Sequence, residues 1–451
     1  VLPLILAVLA IVVLVASLPY WLPRIVVALR MWIFARINGD EGVPIPGRSV
    51  DVRHFTRVYS DPAADGRSRG ARLSDLFWYW LAPGPEVHQE HLEPGERYEE
   101  VARTTRRILA RPKPEVERLA AACAAHTLDA TRPGFVRLRD LMMPIWAEFY
   151  YELVFGRPCP PEARDLIVGN ADDVVTALKC CGLRHMDRRA RLTAYLRERL
   201  EEIPHALPSS LSREERVYYL QGAFFNTAVV QMSEAVAHLL MAIAQHPRVQ
   251  ERLVREPGDD AYLDQVINES LRRYPLFGIA HRITSKDITV DERTTLPAGS
   301  VLCFDYPAFH ATGYEDPDRF DPDRWRTLRV RDANHIPFGV TANRPCPARG
   351  VAPLTMRVVA RETLRRFAVH SSAAHTRSLP NRGPCVLLPR TGDRAGTHRG
   401  RALRGRLALL RLRDRWEDVW RSVVQLGFGT YMVWDARRRA LAARYFGEVT
   451  R

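Results

Sequence analysis

Apolar residues run from Val1 to Pro23 without a charged side chain, and Arg24, Arg30 and Arg36 follow only after that run. A helix needs about this length to span a bilayer. A secretory leader has basic residues ahead of a shorter apolar core and a small-residue cleavage site behind it; here the basic residues come after. The pattern predicts a transmembrane anchor over 1–23, with the arginines and the body of the protein on the cytoplasmic side. Residues 24–50 read as a basic linker ending in the turn-prone Gly42-Val43-Pro44-Ile45-Pro46-Gly47, a hinge between anchor and body.

Over 51–390 the periodicity is mainly helical. Helices are predicted over 97–127, broken near Pro112 and Pro114, and over 141–155, 189–203 and 214–246. The last is apolar on most faces, which predicts burial through the middle of the domain. Strand patterns are short and late: Ile288-Thr289-Val290, and 300–304, with Pro297-Ala298-Gly299 turning the chain between them. The fold class is therefore mainly α with small β-sheets. In the extension 391–451, Leu403, Leu407, Leu410, Trp416, Trp420 and Val423 recur at near-helical spacing among arginines. That is a basic amphipathic helix, either docked on the domain or facing a membrane surface or an acidic partner.

Charge changes this picture little. The net charge of +14 is concentrated in the extension, where 14 arginines stand against six acidic residues, so nucleic acid is not an expected partner of the body. The seven cysteines are odd in number, irregular in spacing and contain no C-x-x-C pair. Neither a disulfide framework nor a zinc site is indicated, and a reducing compartment fits. Two cysteines share one context: Arg157-Pro158-Cys159-Pro160 and Arg344-Pro345-Cys346-Pro347 each lie downstream of a Phe-Gly.

Only the second copy follows further motifs. "VINESLRRYP" sets Glu269 and Arg272 at i and i+3 of one helix face, "PDRFDPDRW" supplies Arg319 in a proline-rich segment, and "PFGVTANRPCPARG" carries Phe338, Arg344 and Cys346. In that order, behind a long apolar helix, these motifs resemble the cytochrome P-450 family over about 51–390. The resemblance implies a haem-thiolate fold preceded by one transmembrane helix, and haem b as cofactor with Cys346 as the iron ligand. It implies a structural network of Glu269, Arg272 and Arg319, and haem propionates held by Arg344 and Arg282, with His310 as a further candidate; Phe338 belongs to the cofactor loop. Tyr98 and Arg103 match poorly an early-helix contact of the family. Cys159 has no such context and reads as a turn cysteine.

The chain departs from the family in two places. In the cysteine loop, Ala342 and Ala348 stand where glycines are usual, and Phe338 is one residue further from the cysteine. On the long helix, the positions of the family's acid–threonine pair hold Val230 and Gln231, neither of which is an acid. One turn earlier, Asn226 and Thr227 offer an amide and a hydroxyl near the same face. Thr227, Gln231 and Asn226 are thus the candidate distal-helix contacts for protons and oxygen. The expected activity is oxidation, such as hydroxylation, of an apolar or amphipathic small molecule in secondary or lipid metabolism, with electrons from a separate ferredoxin or reductase. Two alternatives stay open: a peroxygenase or rearranging enzyme that uses peroxide directly, and a catalytically silent haem-binding scaffold.

Overall fold

The long helix is Arg213–Gln245, and it is the axis around which the body packs. Its start is fixed by a capping box: Ser212 accepts from the amide of Glu215, and the Glu215 side chain accepts from the amide of Ser212. Almost every side chain of its last two-thirds is buried, as its all-round apolar pattern requires. Its middle, Gln221–Ala228, is wound as a π-helix. Such a segment re-aims side chains relative to a regular α-helix, and it is common at functional sites. Alongside lies Leu138–Phe155, whose Trp146, Phe149, Tyr150 and Tyr151 are fully buried. Buried charge ties the two together: Glu234 accepts from Arg139 at 2.9 Å and from Lys179 at 3.1 Å.

The computed structural model describes residues 2–39, 41–80, 91–390 and 397–449. Three small sheets flank the helices. In the first, β1 (Val43–Ile45) pairs in parallel with β6 (Val301–Asp305), which pairs antiparallel with β3 (Ile279–Ile283). In the second, β8 (Pro384–Pro389) lies between β2 (Gly134–Arg137) and β7 (Phe367–His370). The third is the hairpin β4 (Ile288–Thr289) and β5 (Thr295–Leu296). Only the β4 and β6 regions carried a clear strand pattern in sequence. Strands of two to six residues leave too few alternations to register.

Both ends differ from expectation. The N-terminal helix runs from Leu2 to Asn38, through most of the expected linker. The expected hinge at Gly42–Gly47 is the edge strand β1, held by pairing with β6. The helix is long and apolar enough to cross a membrane, with a mean hydropathy of 2.8 in its most apolar window. The extension forms the helices Thr397–Arg439 and Leu441–Val449. The longer one lies along the second half of the N-terminal helix. Arg415 donates to the Tyr20 hydroxyl, and Gly429 packs on the Phe34 ring, so closely that a Cβ there would come within 3.0 Å. Both contacts advance by the same interval along each chain, so the two helices run parallel. Leu410 of the expected apolar stripe is buried, whereas Trp416, Trp420 and Val423 are exposed. The stripe therefore divides, because its spacing drifts around the helix.

Candidate active site

A cavity open to solvent lies between the long helix and the loop that carries Cys346. The helix contributes Ala223, Phe224, Thr227, Ala228, Gln231 and Met232 to its wall. The loop contributes Phe338, Gly339, Arg344, Cys346 and Pro347. Three arginines face this otherwise largely apolar space: Arg67, Arg282 and Arg344. Among the described residues, no aspartate or glutamate lines it.

The loop is held by its backbone and by one buried amide. The Cys346 N–H donates to the carbonyl of Phe338 at 2.9 Å, closing the loop on itself. Asn343 donates to the carbonyls of Tyr59 at 2.8 Å and Ala64 at 2.7 Å, which ties the loop to the N-terminal part of the body. Gly339 has a φ of +73°, a left-handed conformation that glycine adopts without strain. Arg344 has a φ of +48°, unusual for a residue with a side chain, and its guanidinium sits 4.1 Å from the centre of the Tyr98 ring. Tyr98 is thus a platform for Arg344, while Arg103 is exposed on the other side of its helix. The helix Ala352–Arg366 begins directly behind the loop. Burial and the nearby Cys346 push the Tyr150 hydroxyl above its usual range, so that phenol stays protonated beside the sulfur.

Arg282 comes from β3 and is 2% exposed. It donates to the Tyr59 hydroxyl at 3.0 Å, which in turn lies 3.0 Å from the Tyr306 hydroxyl. Arg67 and Arg282 both donate to the carbonyl of His281, at 2.8 and 2.9 Å, so two buried cations converge at this wall. The His281 ring stays neutral: burial first, then the Arg67 charge, pulls its pKa well below the usual value. Its Nε2 donates to the Arg67 carbonyl and its Nδ1 accepts from the Arg67 guanidinium, each at 2.8 Å. Sequence reasoning missed Arg67, which lies far from every motif and reaches the wall only through this fold.

Beside the cavity, Glu269 and Arg272 are buried and paired bidentately at 2.8 and 2.9 Å. The third arginine is not Arg319. That side chain is exposed, and only the Arg319 carbonyl takes part, accepting from Arg272 at 3.3 Å. The second Pro-Asp-Arg of the same segment supplies the partner: Arg324 donates to Glu269 at 3.2 Å. Trp325 at 3.0 Å and the amide of Asp321 at 2.9 Å complete the shell around Glu269. The repeat was visible in sequence, and Pro-Asp-Arg-Trp was the copy to choose. His310 is corrected too: it does not line the cavity, its Nε2 accepts from the amide of Ile336, and its carbonyl accepts from Arg272. On the long helix, Thr227 and Gln231 face the cavity, but Asn226 is buried away from it. Cys159 lies outside the cavity at the start of Pro161–Leu178, and burial raises its thiol to about 12.

A mostly helical body, with a cysteine loop and a buried Glu–Arg pair beneath one long helix, is the fold of the haem-thiolate proteins. The family profile described as Cytochrome P450 matches residues 183–394. That stretch carries the signature of the cytochrome P450 family, whose members bind haem through a cysteine thiolate. It is similar to "Putative cytochrome P450 135B1" of Mycobacterium tuberculosis, 32% identical over 157 residues that make up 33% of each chain. It is also similar to "Cyclooctat-9-en-7-ol 5-monooxygenase" of Streptomyces melanosporofaciens, 26% identical over 38% of this chain and 40% of that one. The match thus spans only about a third of the first of these relatives. Among solved structures, a six-coordinated cytochrome P450 of Thermus thermophilus has a TM-score of 0.60 at 19% identity, covering 74% of this chain and 91% of that one. Cytochrome P450SP alpha in complex with (R)-ibuprophen has a TM-score of 0.61 at 17% identity, covering 74% of this chain and 88% of that one.

Proposed function

We propose that this protein is a haem-thiolate oxidoreductase acting on an apolar or amphipathic small molecule, with Cys346 as the iron ligand. The observation that carries this reading is the cavity that holds Cys346, three guanidinium groups and an otherwise apolar wall beneath the long helix. A flat, largely apolar group with two carboxylates fits that donor set. The sulfur would hold the metal, and Arg282, Arg344 and Arg67 would hold the carboxylates. When bound, haem supplies the one-electron and oxygen chemistry. The chain's own part is to exclude water with Phe224, Met232 and Phe338, and to hold protons and water at the Thr227 hydroxyl and the Gln231 amide. Reduced protein under carbon monoxide should show the red-shifted Soret band of a thiolate-ligated haem. Cys346→Ser should lose it and Cys159→Ser should keep it; retention of the band in both variants rejects the assignment.

The oxidant has a second reading. With no carboxylic acid among the described lining residues, the wall lacks the usual proton donor of a reductant-driven cycle. Peroxide brings its own protons, so direct use of hydrogen peroxide fits this wall. Several structural neighbours were solved with carboxylic acids: OleT with arachidonic acid and P450EX alpha with myristic acid. A carboxylated apolar chain is therefore the substrate class to try first. If Thr227 and Gln231 relay protons, Thr227→Val with Gln231→Leu lowers reductant-driven turnover by about 100-fold and leaves peroxide-driven turnover within a few-fold. Turnover with peroxide that exceeds turnover with reductant in the unaltered enzyme decides for the peroxygenase, and absence of both decides for the silent scaffold. For the reductant-driven reading, a separate ferredoxin or reductase is the partner. The N-terminal helix would anchor the protein with its body on the cytoplasmic side, where Arg24, Arg30 and Arg36 belong.

A further inference from the structure

The short helix Arg72–Trp80 lies between the cavity and the last residues of the chain. One face carries Phe77 to the cavity wall, where its ring stacks on His281 at 5.2 Å and lies 5.8 Å from the Arg67 guanidinium. One turn before Phe77, the Ser74 hydroxyl lies 3.3 Å from the same His281 ring. The rest of the helix meets the extension. Leu76 packs into a small core with Val433 and Ala436, both fully buried. Tyr79 donates to Asp435 at 3.2 Å, and Arg437 donates to the carbonyl of Arg72. The Trp78 ring lies 5.1 Å from that of Tyr445 and 6.1 Å from that of Phe446. Asp75 is 4% exposed and accepts from the amides of Ala442 at 2.9 Å and Ala443 at 3.4 Å. Its carboxylate thus caps the N-terminus of the helix Leu441–Val449 from the far end of the sequence.

A helix of nine residues has little stability of its own, so the segments packed on it set its position. Its main helical neighbours are Thr397–Arg439 and Leu441–Val449. Phe77 and Trp78 share one turn of this helix, so a Trp78 ring that loses its stack frees Phe77 to shift as well. We propose that Tyr445 and Phe446 are positioning residues of the cavity. Through Trp78 and Asp75 they clamp the helix Arg72–Trp80, so that Phe77, with Arg67 against its ring, forms a fixed wall for an apolar ligand. The extension then belongs to the ligand site without touching it, because none of its described residues lines the cavity. This rests on the reading of that cavity as the haem and substrate site.

The test uses the full haem-loaded chain and two probes with one common head, imidazole and 1-octylimidazole, with binding read from the Soret shift. In the unaltered chain the octyl probe should bind more tightly, because its tail is buried against the apolar wall. Phe77→Ala should weaken the octyl probe about tenfold and imidazole less than about twofold. Tyr445→Ala with Phe446→Ala should reproduce that pattern, although neither residue reaches the cavity. Combining all three substitutions should weaken the octyl probe no further than Phe77→Ala alone, since changes that act through one contact do not add. Tyr445→Phe, which keeps a ring beside Trp78, should bind both probes like the unaltered chain. The carbon monoxide band should persist in every variant. Its loss in Tyr445→Ala with Phe446→Ala would show that the extension holds the fold rather than the wall, and would overturn the proposal. Unchanged affinities in that variant, additive losses in the combined one, or an octyl tail that adds no affinity to the unaltered chain overturn it while the haem reading stands. An unaltered chain with neither the band nor an azole shift overturns the haem reading itself.

Discussion

The choice between Arg319 and Arg324 shows how finely a single residue position is set. Both follow Pro-Asp and both precede an aromatic residue, yet only Arg324 reaches the Glu269 carboxylate, where it is almost completely buried. Removing one partner of a buried ion pair leaves charge uncompensated, so Arg324→Ala should destabilise the protein by about 3 kcal/mol in urea unfolding. The exposed Arg319 side chain makes no such pair, and Arg319→Ala should stay within about 0.5 kcal/mol. The reverse order would reject the assignment. The Tyr314 ring supports this geometry, lying 4.8 Å from the Arg272 guanidinium and 5.7 Å from that of Arg324. Sequence carried the residue types of this network, but the distance from a side chain to Glu269 depends on how the segment 317–325 coils, which motif spacing alone did not fix.

At the scale of elements, the long helix was the most legible. Its length and its all-round apolar pattern predict a buried central helix with boundaries close to those observed. Its π-wound middle was not legible, because that winding depends on what packs against it. The winding bears on the face question: Thr227 and Gln231 reach the cavity while Asn226 turns away. The C-terminal helix gives the contrasting case. Its existence was readable, but a stripe counted at near-helical spacing assigned Leu410 and Trp420 to one face, and packing separates them. Asp414 is a buried polar tether of this helix to the body. Asp414→Ala leaves the buried amide of Ala374 without its acceptor and should cost about 1–3 kcal/mol. The loss should be local, read as faster proteolysis within 397–439 while the rest of the body stays resistant. An unchanged digestion pattern would show that the other contacts of this helix, such as Arg137 with Glu417 and Tyr79 with Asp435, hold the element without it.

For the whole molecule, buried histidines contribute to the acid response between about pH 4 and 6.5. His238 stacks on Tyr274, lies 3.0 Å from His375, and is lowered to about 3 by burial and then by Lys179. His375 is lowered as well, by burial and then by His238, and His310 falls to about 4 through burial. These rings are neutral in the folded protein but take up protons when unfolded below about pH 6.5. The unfolded state then binds more protons, so stability rises with pH between about 4 and 6.5 and is lost as the pH falls through that window. Each such histidine contributes a slope of up to about 1.4 kcal/mol per pH unit. Urea midpoints measured across the window should show the rise, and His238→Phe should flatten it.

The sequence by itself determined the fold class, the long helix, the apolar N-terminal segment and the order of motifs that singles out Cys346 over Cys159. These follow from periodicity and residue type, which are local. Only the tertiary structure decided which arginine completes the Glu269 network, that Arg67 joins the cavity wall, that His310 does not, and that the aromatic residues of the extension face outward. Each of those depends on which distant segments approach one another and on which face of a helix they cover, and a side chain's neighbours in space are set by packing rather than by its neighbours in the chain.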